Sequence, residues 1–443
     1  MPRDAAPSRQ SRARFADRWT APLARLRSWW PLMVVVVLML VSAPFAIAPI
    51  RDAASLVPVA EATLRRPLAY VLIAPISDVL DLLTLLSLRQ HVALLVTLVI
   101  GYAIWFAWRG RVTPITVAPG RRAVRIAARL GLALLAVLAV YAVGVLLPRP
   151  MAALDTAVDV IAVDFHSHTK YSHDGRPDWT PEDVRAWHRD AGFEAAYVTD
   201  HRTFEGARDA WANNPAFAGQ GTVLLPGIEV VWKGEHVLVL DADRKYRGLF
   251  TETLRDIDEP SLTMASAIPA NEPVLVETFP GDITKMIPAA GSGTAGVRAI
   301  ELVDGAPKGL GQTRRERMRI VHYADSLNLA LVAGSNHHGW GHAATAWTLL
   351  YVPGWRNATP DALSDAIGNI LRRGGVRSTR VVERYVADTE SGVKLVLTAP
   401  LITWGMLRTL SADERAVWVA WAVALTLVAR LLASRRPRPD DAR

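Results

Sequence analysis

The chain has 443 residues, 51% of them hydrophobic, and a mean hydropathy of +0.18, too apolar for one water-soluble enzyme of this length. It contains no cysteine, which excludes disulfides and thiolate metal sites. The net charge of +8 sits in short arginine clusters flanking apolar runs, a pattern of membrane topology rather than of a nucleic-acid-binding face.

In chain order, a basic tail (residues 1–28) is followed by an uncharged run at 31–50, long enough to cross a bilayer at about 20 residues per span. Runs at 91–108, 130–147 and 416–433 have the same character, with Arg430 placed to snorkel. Trp29, Trp30, Trp105, Trp108, Trp418 and Trp421 lie near the ends of these runs, where indoles favour the headgroup layer. Residues 69–88 are long enough to cross but hold Asp78 and Asp81, each costing about 2.5–3.5 kcal/mol at mid-bilayer. Residues 395–407 are short for a span, and both stretches suit interfacial or re-entrant placement better. Seven arginines precede Trp29, six lie in Arg109–Arg129 and five follow from Arg430. The excess of arginine on cytoplasmic loops puts all three clusters in the cytoplasm. Four spans satisfy this, with 69–88 not crossing, in the inner (cell) membrane. The segment between about 148 and 415 is then extracytoplasmic. If 69–88 crosses instead, that segment is cytoplasmic.

Within residues 155–390, strands and helices alternate. Val158–Asp164 reads as a buried strand. Thr180 caps a helix with Pro181 in its first turn, and Gly192 ends it. Further strands are expected at 195–199, 222–225, 236–241, 273–277, 298–303, 328–333 and 347–352. Helices are expected at 311–327 and from Thr359 to about Arg373. This alternation predicts an α/β domain with a largely parallel sheet, whose site lies at the carboxyl ends of its strands.

Ten of the 11 histidines fall between His166 and His342, and polar clusters sit at predicted strand ends. DFHSHTKYSHDG supplies His166, His168, His173 and Asp174; TDHRT supplies Asp200 and His201; PGIEV supplies Glu229; GEHVLVL supplies His236; GSNHHGWG supplies Asn336, His337 and His338. Residues i and i+2 at a strand end point the same way, so His166 and His168 can grip one ion. Nitrogen and oxygen donors without sulfur suit zinc, manganese or iron. A glutamate among histidines can bridge two ions about 3.5–4 Å apart. Asp200 is a candidate catalytic group or an orienter of a ligand histidine. Arg202 and Lys170 are candidate phosphate contacts.

These motifs, in this order over residues 160–345, resemble those of the PHP (polymerase and histidinol phosphatase) family. The resemblance implies a distorted (β/α)7-type barrel, here inserted between transmembrane helices, with two or three divalent metals and phosphoester hydrolysis. On that analogy His166, His168 and Glu229 bind one metal, and Glu229 bridges to a second held by His236. Asp174 (or His173), His201 and His338 complete the set. Two positions depart from the family pattern. Asn336 stands where the family usually has aspartate, and Phe279-Pro280 stands where it has His-Pro, with Thr278 or Asp282 as substitutes. On this reading Asn336→Asp raises metal affinity. Two functions stay open: a phosphoesterase acting on a phosphorylated small molecule or lipid headgroup at the bilayer, or a catalytically weak metal-binding sensor coupled to the helices. No nucleic-acid partner is expected, and the sequence does not specify an oligomer.

Overall fold

The structure, a computed structural model, describes residues 29–112, 119–201, 203–232, 235–241, 274–278, 297–390 and 392–434. Its strands, in chain order, are β1 (Ile50–Asp52), β2 (Ala62–Arg65), β3 (Ala153–Thr156), β4 (Val160–Ser167), β5 (Ala195–Val198), β6 (Val223–Trp232), β7 (Glu235–Leu240), β8 (Val274–Glu277), β9 (Val297–Asp304), β10 (Ala330–Gly334), β11 (Ala346–Tyr351) and β12 (Arg380–Arg384). Ten of them form one curled sheet in the order β1-β12-β11-β4-β5-β6-β7-β8-β9-β10, while β2 and β3 pair separately.

Each strand expected between 158 and 352 is present, because each is an apolar, β-branched run that can be buried on both faces. The sheet is parallel through β4, β5 and β6, antiparallel from β6 to β8, and parallel again to β10. β4 divides its free edge. Its first half pairs with β11. Its second half takes up the chain leaving β10: Asn336 N donates to His166 O (2.7 Å), and His168 N donates to His337 O (3.1 Å). The sheet thereby curls back on itself beside the histidines.

Helix ends follow local chemistry. Thr180 and Asp183 form a capping box for helix Pro181–Ala191, and Gly192 closes it at φ 83°, a left-handed conformation that glycine adopts without steric cost. Thr313 and Glu316 do the same for helix Arg314–Ser326.

Three sequence expectations change. The sheet is mixed rather than largely parallel, five of its nine strand pairings being antiparallel. The run 31–50 is a helix only over Trp30–Ser42, extended by a 3-10 turn to Phe45, before the chain enters β1. Thirteen residues rise about 20 Å, short of a bilayer core of about 30 Å. Among the described residues, three other helices contain segments long and apolar enough to cross a membrane: Leu88–Phe106, Ile126–Leu146 and Ala412–Leu432. Residues 50–65, read from sequence as part of the membrane region, instead join the domain. β1 pairs with β12 and β2 with β3.

The β2–β3 pairing also constrains topology. Arg65 and Ala153 are register partners, so they lie on the same side of any membrane. In a membrane the chain between them would cross an even number of times, and the helices at 88–112 and 119–146 are long enough for two crossings. Residues 69–88 form no single helix of spanning length. They fold as two short helices, Leu68–Leu72 and Ala74–Thr84, with Asp78 and Asp81 buried. Asp81 pairs with Arg149 and Arg384 and accepts from Tyr70 Oη at 2.9 Å; Asp78 accepts from Trp418 Nε1 at 2.9 Å. Asp81 is thus a polar joint between the helical layer and the sheet, while Asp78 ties helices to one another. Residues 395–407 fall in two short helices, Val393–Val396 and Thr398–Thr409.

Candidate metal centre

Five segments bring the site residues together. β4 ends in His166 and, one residue beyond Ser167, His168. Asp174 follows on the next loop. His201 lies just past β5, bridged in parallel to Glu229 of β6. His236 is the second residue of β7, opposite Val231. Asn336 and His338 follow β10.

Glu229 is the hub. Its Oε2 lies 2.9 Å from His166 Nε2, 3.2 Å from His168 Nε2 and 3.4 Å from His201 Nε2, while Oε1 meets His236 Nδ1 at 2.5 Å. A second carboxylate, Asp174, faces His201 Nε2 at 3.5 Å and His338 Nε2 at 3.2 Å. Three overlapping sets result: His166/His168/Glu229, His168/Asp174/His201 and His201/Glu229/His236, each with donor atoms within 4.8 Å of one another.

Glu229, Asp174 and His168 already hold the forms that metal ions require. Burial would lower His166, but Glu229 and Glu301 outweigh it and hold it well above the usual imidazole value, so its Nε2 would release a proton on binding metal. Burial pushes His168 down to about 3, keeping it neutral. Burial alone would raise Glu229, but the His166 imidazole and the histidine hydrogen bonds outweigh it and keep it ionised. Asp174 is likewise lowered, against its burial, by hydrogen bonds from His201 and Ser172. Neither ring nitrogen of His168 makes a hydrogen bond, and Oδ1 of Asn336 is also shielded without a partner. Leaving one such buried group unsatisfied costs about 1–3 kcal/mol. Orphaned lone pairs beside ionised carboxylates are what divalent cations satisfy, so these residues fit the metals that the sequence motifs imply.

A second layer fixes the first. His166 Nδ1 meets Glu301 Oε1 at 3.2 Å, leaving Nε2 toward Glu229. Asp164 accepts from the backbone of His166 (3.1 Å) and Ser335 (2.8 Å) and meets His188 Nε2 at 2.7 Å. Imidazole tautomer and direction are set by such partners. A Cβ at Gly334 would lie 2.0 Å from Glu301 Oε1 and 2.3 Å from His166 Cβ, so the bare backbone there is required.

Not every expected residue joins the cluster. His173 is largely exposed, 4.0 Å from Asp174 Oδ1, and belongs to none of the three sets. Asp200 is fully buried and turned to Thr169, accepting from its N and its Oγ1 at 2.6 Å each. That is the geometry of a loop anchor rather than of a group facing a reacting atom. His337 stacks on Trp187 at 4.2 Å and bonds the Gly341 carbonyl at 3.2 Å. Lys170 is exposed over Tyr171. Arg202, Phe279, Pro280 and Asp282 lie outside the described residues.

Thr278, a candidate from sequence, and two residues that sequence reading passed over, Asp304 and Lys308, complete the site. A cavity of about 260 Å³ over the cluster is lined by His166, Asp174, His201, Glu229, His236, Asn336 and His338, together with Thr278, Asp304 and Lys308. Asp304, the last residue of β9, accepts from Asn336 Nδ2 at 3.4 Å; burial and then the neighbouring Glu301 push it up to about 7. Asn336 adopts φ 46°, a left-handed conformation that asparagine tolerates better than most residues. The only available signal for Asp304 and Lys308 was their place at a strand end, which carries no motif.

No protein-family model and no curated protein matches the sequence. Solved structures to which it is similar include the following three. PsfC from Pseudomonas syringae PB-5123 is 16% identical, covers 61% of this chain and 100% of its own, and has a TM-score of 0.36. The lesion-specific endonuclease PfuEndoQ from Pyrococcus furiosus is 13% identical, covering 47% of this chain and 56% of its own, with a TM-score of 0.36. A Bifidobacterium adolescentis protein titled as a metal-dependent phosphoesterase is 19% identical, covering 48% and 96%, with a TM-score of 0.28. At these identities and scores the likeness carries no conclusion about this chain.

Proposed function

We propose that this chain is a membrane-held, metal-dependent phosphoesterase of the PHP type, its curled sheet a distorted (β/α)7 barrel built from β4 to β10. The observation that carries the reading is the sharing of Glu229 by four histidines, with His168 and Asn336 left otherwise unsatisfied. His166, His168 and Glu229 would hold one divalent ion, and His201, Glu229 and His236 a second. Asp174, with His201 and His338, would serve a further one. Such ions, zinc, manganese or iron, lower the pKa of a bound water to about 7 and stabilise charge on phosphoryl oxygens.

The chain's own groups do the rest. Glu301 holds the His166 ring with Nε2 inward. Asp164 fixes the backbone on both sides of the closure between β4 and the chain after β10. Lys308 stands at the mouth of the cavity, placed to receive a phosphate's negative charge. The arginine clusters at 109–129 and after Arg430, with an even number of crossings between β2 and β3, support a catalytic domain outside the cytoplasm, at the cell membrane.

The test is metal analysis of the purified full chain, followed by a screen of phosphomonoesters and phosphodiesters. Bound zinc, manganese or iron that is lost in the His166→Ala/His168→Ala variant, with hydrolysis of one ester class, is the expected result. A wild-type chain that stays metal-free after incubation with all three metals overturns the reading. Metal binding without hydrolysis of any ester would favour the sensor function instead.

A further inference from the structure

Beside the metal-centre cavity lies a second one of about 370 Å³, of very different character. Leu80, Leu83, Val140, Tyr141, Gly144 and Val145 form its apolar side. These residues come from helix Ala74–Thr84 and from the last two turns of the helix that ends at Leu146. Its opposite side is the domain: Trp187 and the loops 305–307 and 335–343. Ala306, Asn336 and His338 line both cavities, so one wall separates an apolar chamber from the metal-binding residues. The volume is within the range of small-molecule sites, roughly 300–1,000 Å³.

The position matters as much as the chemistry. The chamber is built at the domain ends of two helices that are long and apolar enough to cross a bilayer, His91 lying in the first turn of one and Tyr141 near the end of the other, their side chains 2.7 Å apart. The domain end of a spanning helix lies at headgroup depth. An amphiphile whose tail enters there would present its phosphate to Lys308 and the Glu229 cluster. A water-soluble phosphoester would leave the apolar wall wet.

Resting on the phosphoesterase reading, we infer that the substrate is a lipid phosphoester. Its hydrocarbon chain occupies the chamber between Leu83, Val140 and Trp187 while its phosphate occupies the metal-centre cavity. Binding energy from the remote chain is then available to orient the ester at the metal-binding residues. The inference reaches past the cluster itself, since a phosphoesterase for soluble metabolites needs no chamber of this kind.

Two arms test it, both on the full chain in mixed micelles with manganese or zinc supplied. The first compares matched pairs: glycerol 3-phosphate with dioleoyl phosphatidic acid, and glycerophosphoethanolamine with dioleoyl phosphatidylethanolamine. The expected result is a kcat/KM about 100-fold higher for the long-chain member of one pair. Leu83→Trp and Val140→Trp, made separately, should each lower that long-to-short ratio about ten-fold. A ratio near one that neither variant moves overturns the inference, while any hydrolysis observed leaves the phosphoesterase reading standing.

The second arm does not depend on turnover. Phosphatidic acid with a diazirine near the end of one acyl chain is photolysed in the complex, and the labelled peptides are mapped. Trp187 is 4% exposed and belongs to the domain, so bulk lipid does not reach it. Labelling at Trp187 and in Leu80–Thr84, reduced by Leu83→Trp, supports the chamber as the chain site even if no ester is cleaved. Labelling confined to outward positions such as Leu132 and Leu425 overturns it.

Discussion

Replacing Asp81 by asparagine tests the joint between the helical layer and the sheet. Asp81 is 1% exposed and faces two guanidinium groups, Arg149 with its side chain 6% exposed and Arg384 with 10%. Burial would raise its pKa, but Arg384 and Arg149 outweigh burial and hold it below the usual carboxylate range. Asparagine keeps the shape and one acceptor oxygen but removes the charge, leaving two buried cations uncompensated. Breaking a buried pair by removing one partner costs about 3–5 kcal/mol. At roughly 2–3 °C per kcal/mol for a domain of this size, the unfolding midpoint in detergent should fall by about 6–15 °C. Because the folded-state pKa is depressed, the wild type should lose this stability as pH falls through the carboxylate range, whereas the variant should show no such loss. Adding Arg384→Leu to Asp81→Asn should restore part of the midpoint, since it removes one stranded cation. Differential scanning fluorimetry at pH 8 and pH 4 measures all of this. A variant that melts within 2 °C of wild type at pH 8, by the same scale, would mean that the arginines are solvated and that Asp81 is not a joint.

Asp200→Asn separates an anchor from a catalytic group. Burial pushes Asp200 up to about 6, above its ordinary 3.8, so the folded state binds the extra proton and stability falls as pH rises between those values. The amide can still accept from Thr169 N and donate to its Oγ1, so the variant should lose that slope, melt no lower at pH 8 and keep measurable hydrolysis; loss of turnover with intact metal content would restore a catalytic role. Asn336→Asp would place a second carboxylate about 3.4 Å from Asp304, which is already pushed up to about 7. The pair should share a proton, so the gain in manganese affinity expected from sequence should appear only above neutral pH; a gain of about ten-fold at pH 6, by isothermal titration, would refute this. Gly334→Ala should push Glu301 and His166 apart and lower metal content about 10–100-fold, as the loss of a supporting partner does; unchanged content would show that the close approach is relieved without cost.

The legible part of the molecule was local. His166, His168, His201, Glu229 and His338 could be placed because each follows or ends an apolar β-branched run that reads as a strand by itself. The helices begun by Thr180 and Thr359 were visible from their local caps, and the one at 311–327 without its cap. What escaped depends on partners far away in sequence. β1 and β12 are three and five residues long and pair across more than 300 positions. Neither carries a periodicity of its own. Asp78 and Asp81 looked costly because Arg149, Arg384 and Trp418, which make them affordable, could not be assigned to them. Asp304, Glu301 and Lys308 stand singly, so only the curl of the sheet reveals that they face the histidines.

The antiparallel neck of β2 and β3 has a mechanical consequence. The chain enters the helical layer after Arg65 and re-enters the domain at Ala153, and these residues are held side by side by the ladder. Helix Ala412–Ser434 adds another attachment through Arg66, whose Nε lies 2.6 Å from Glu414 Oε1. A body fastened in this way cannot swing on a tether or search the water above it. Against a bilayer it would behave as a fixed gauge, keeping its metal-binding face at one height and one tilt. Encounter would then be set by lateral diffusion in two dimensions rather than by stirring in three. Lengthening either neck strand with flexible residues should change how often a surface molecule is met without changing how it is processed once held.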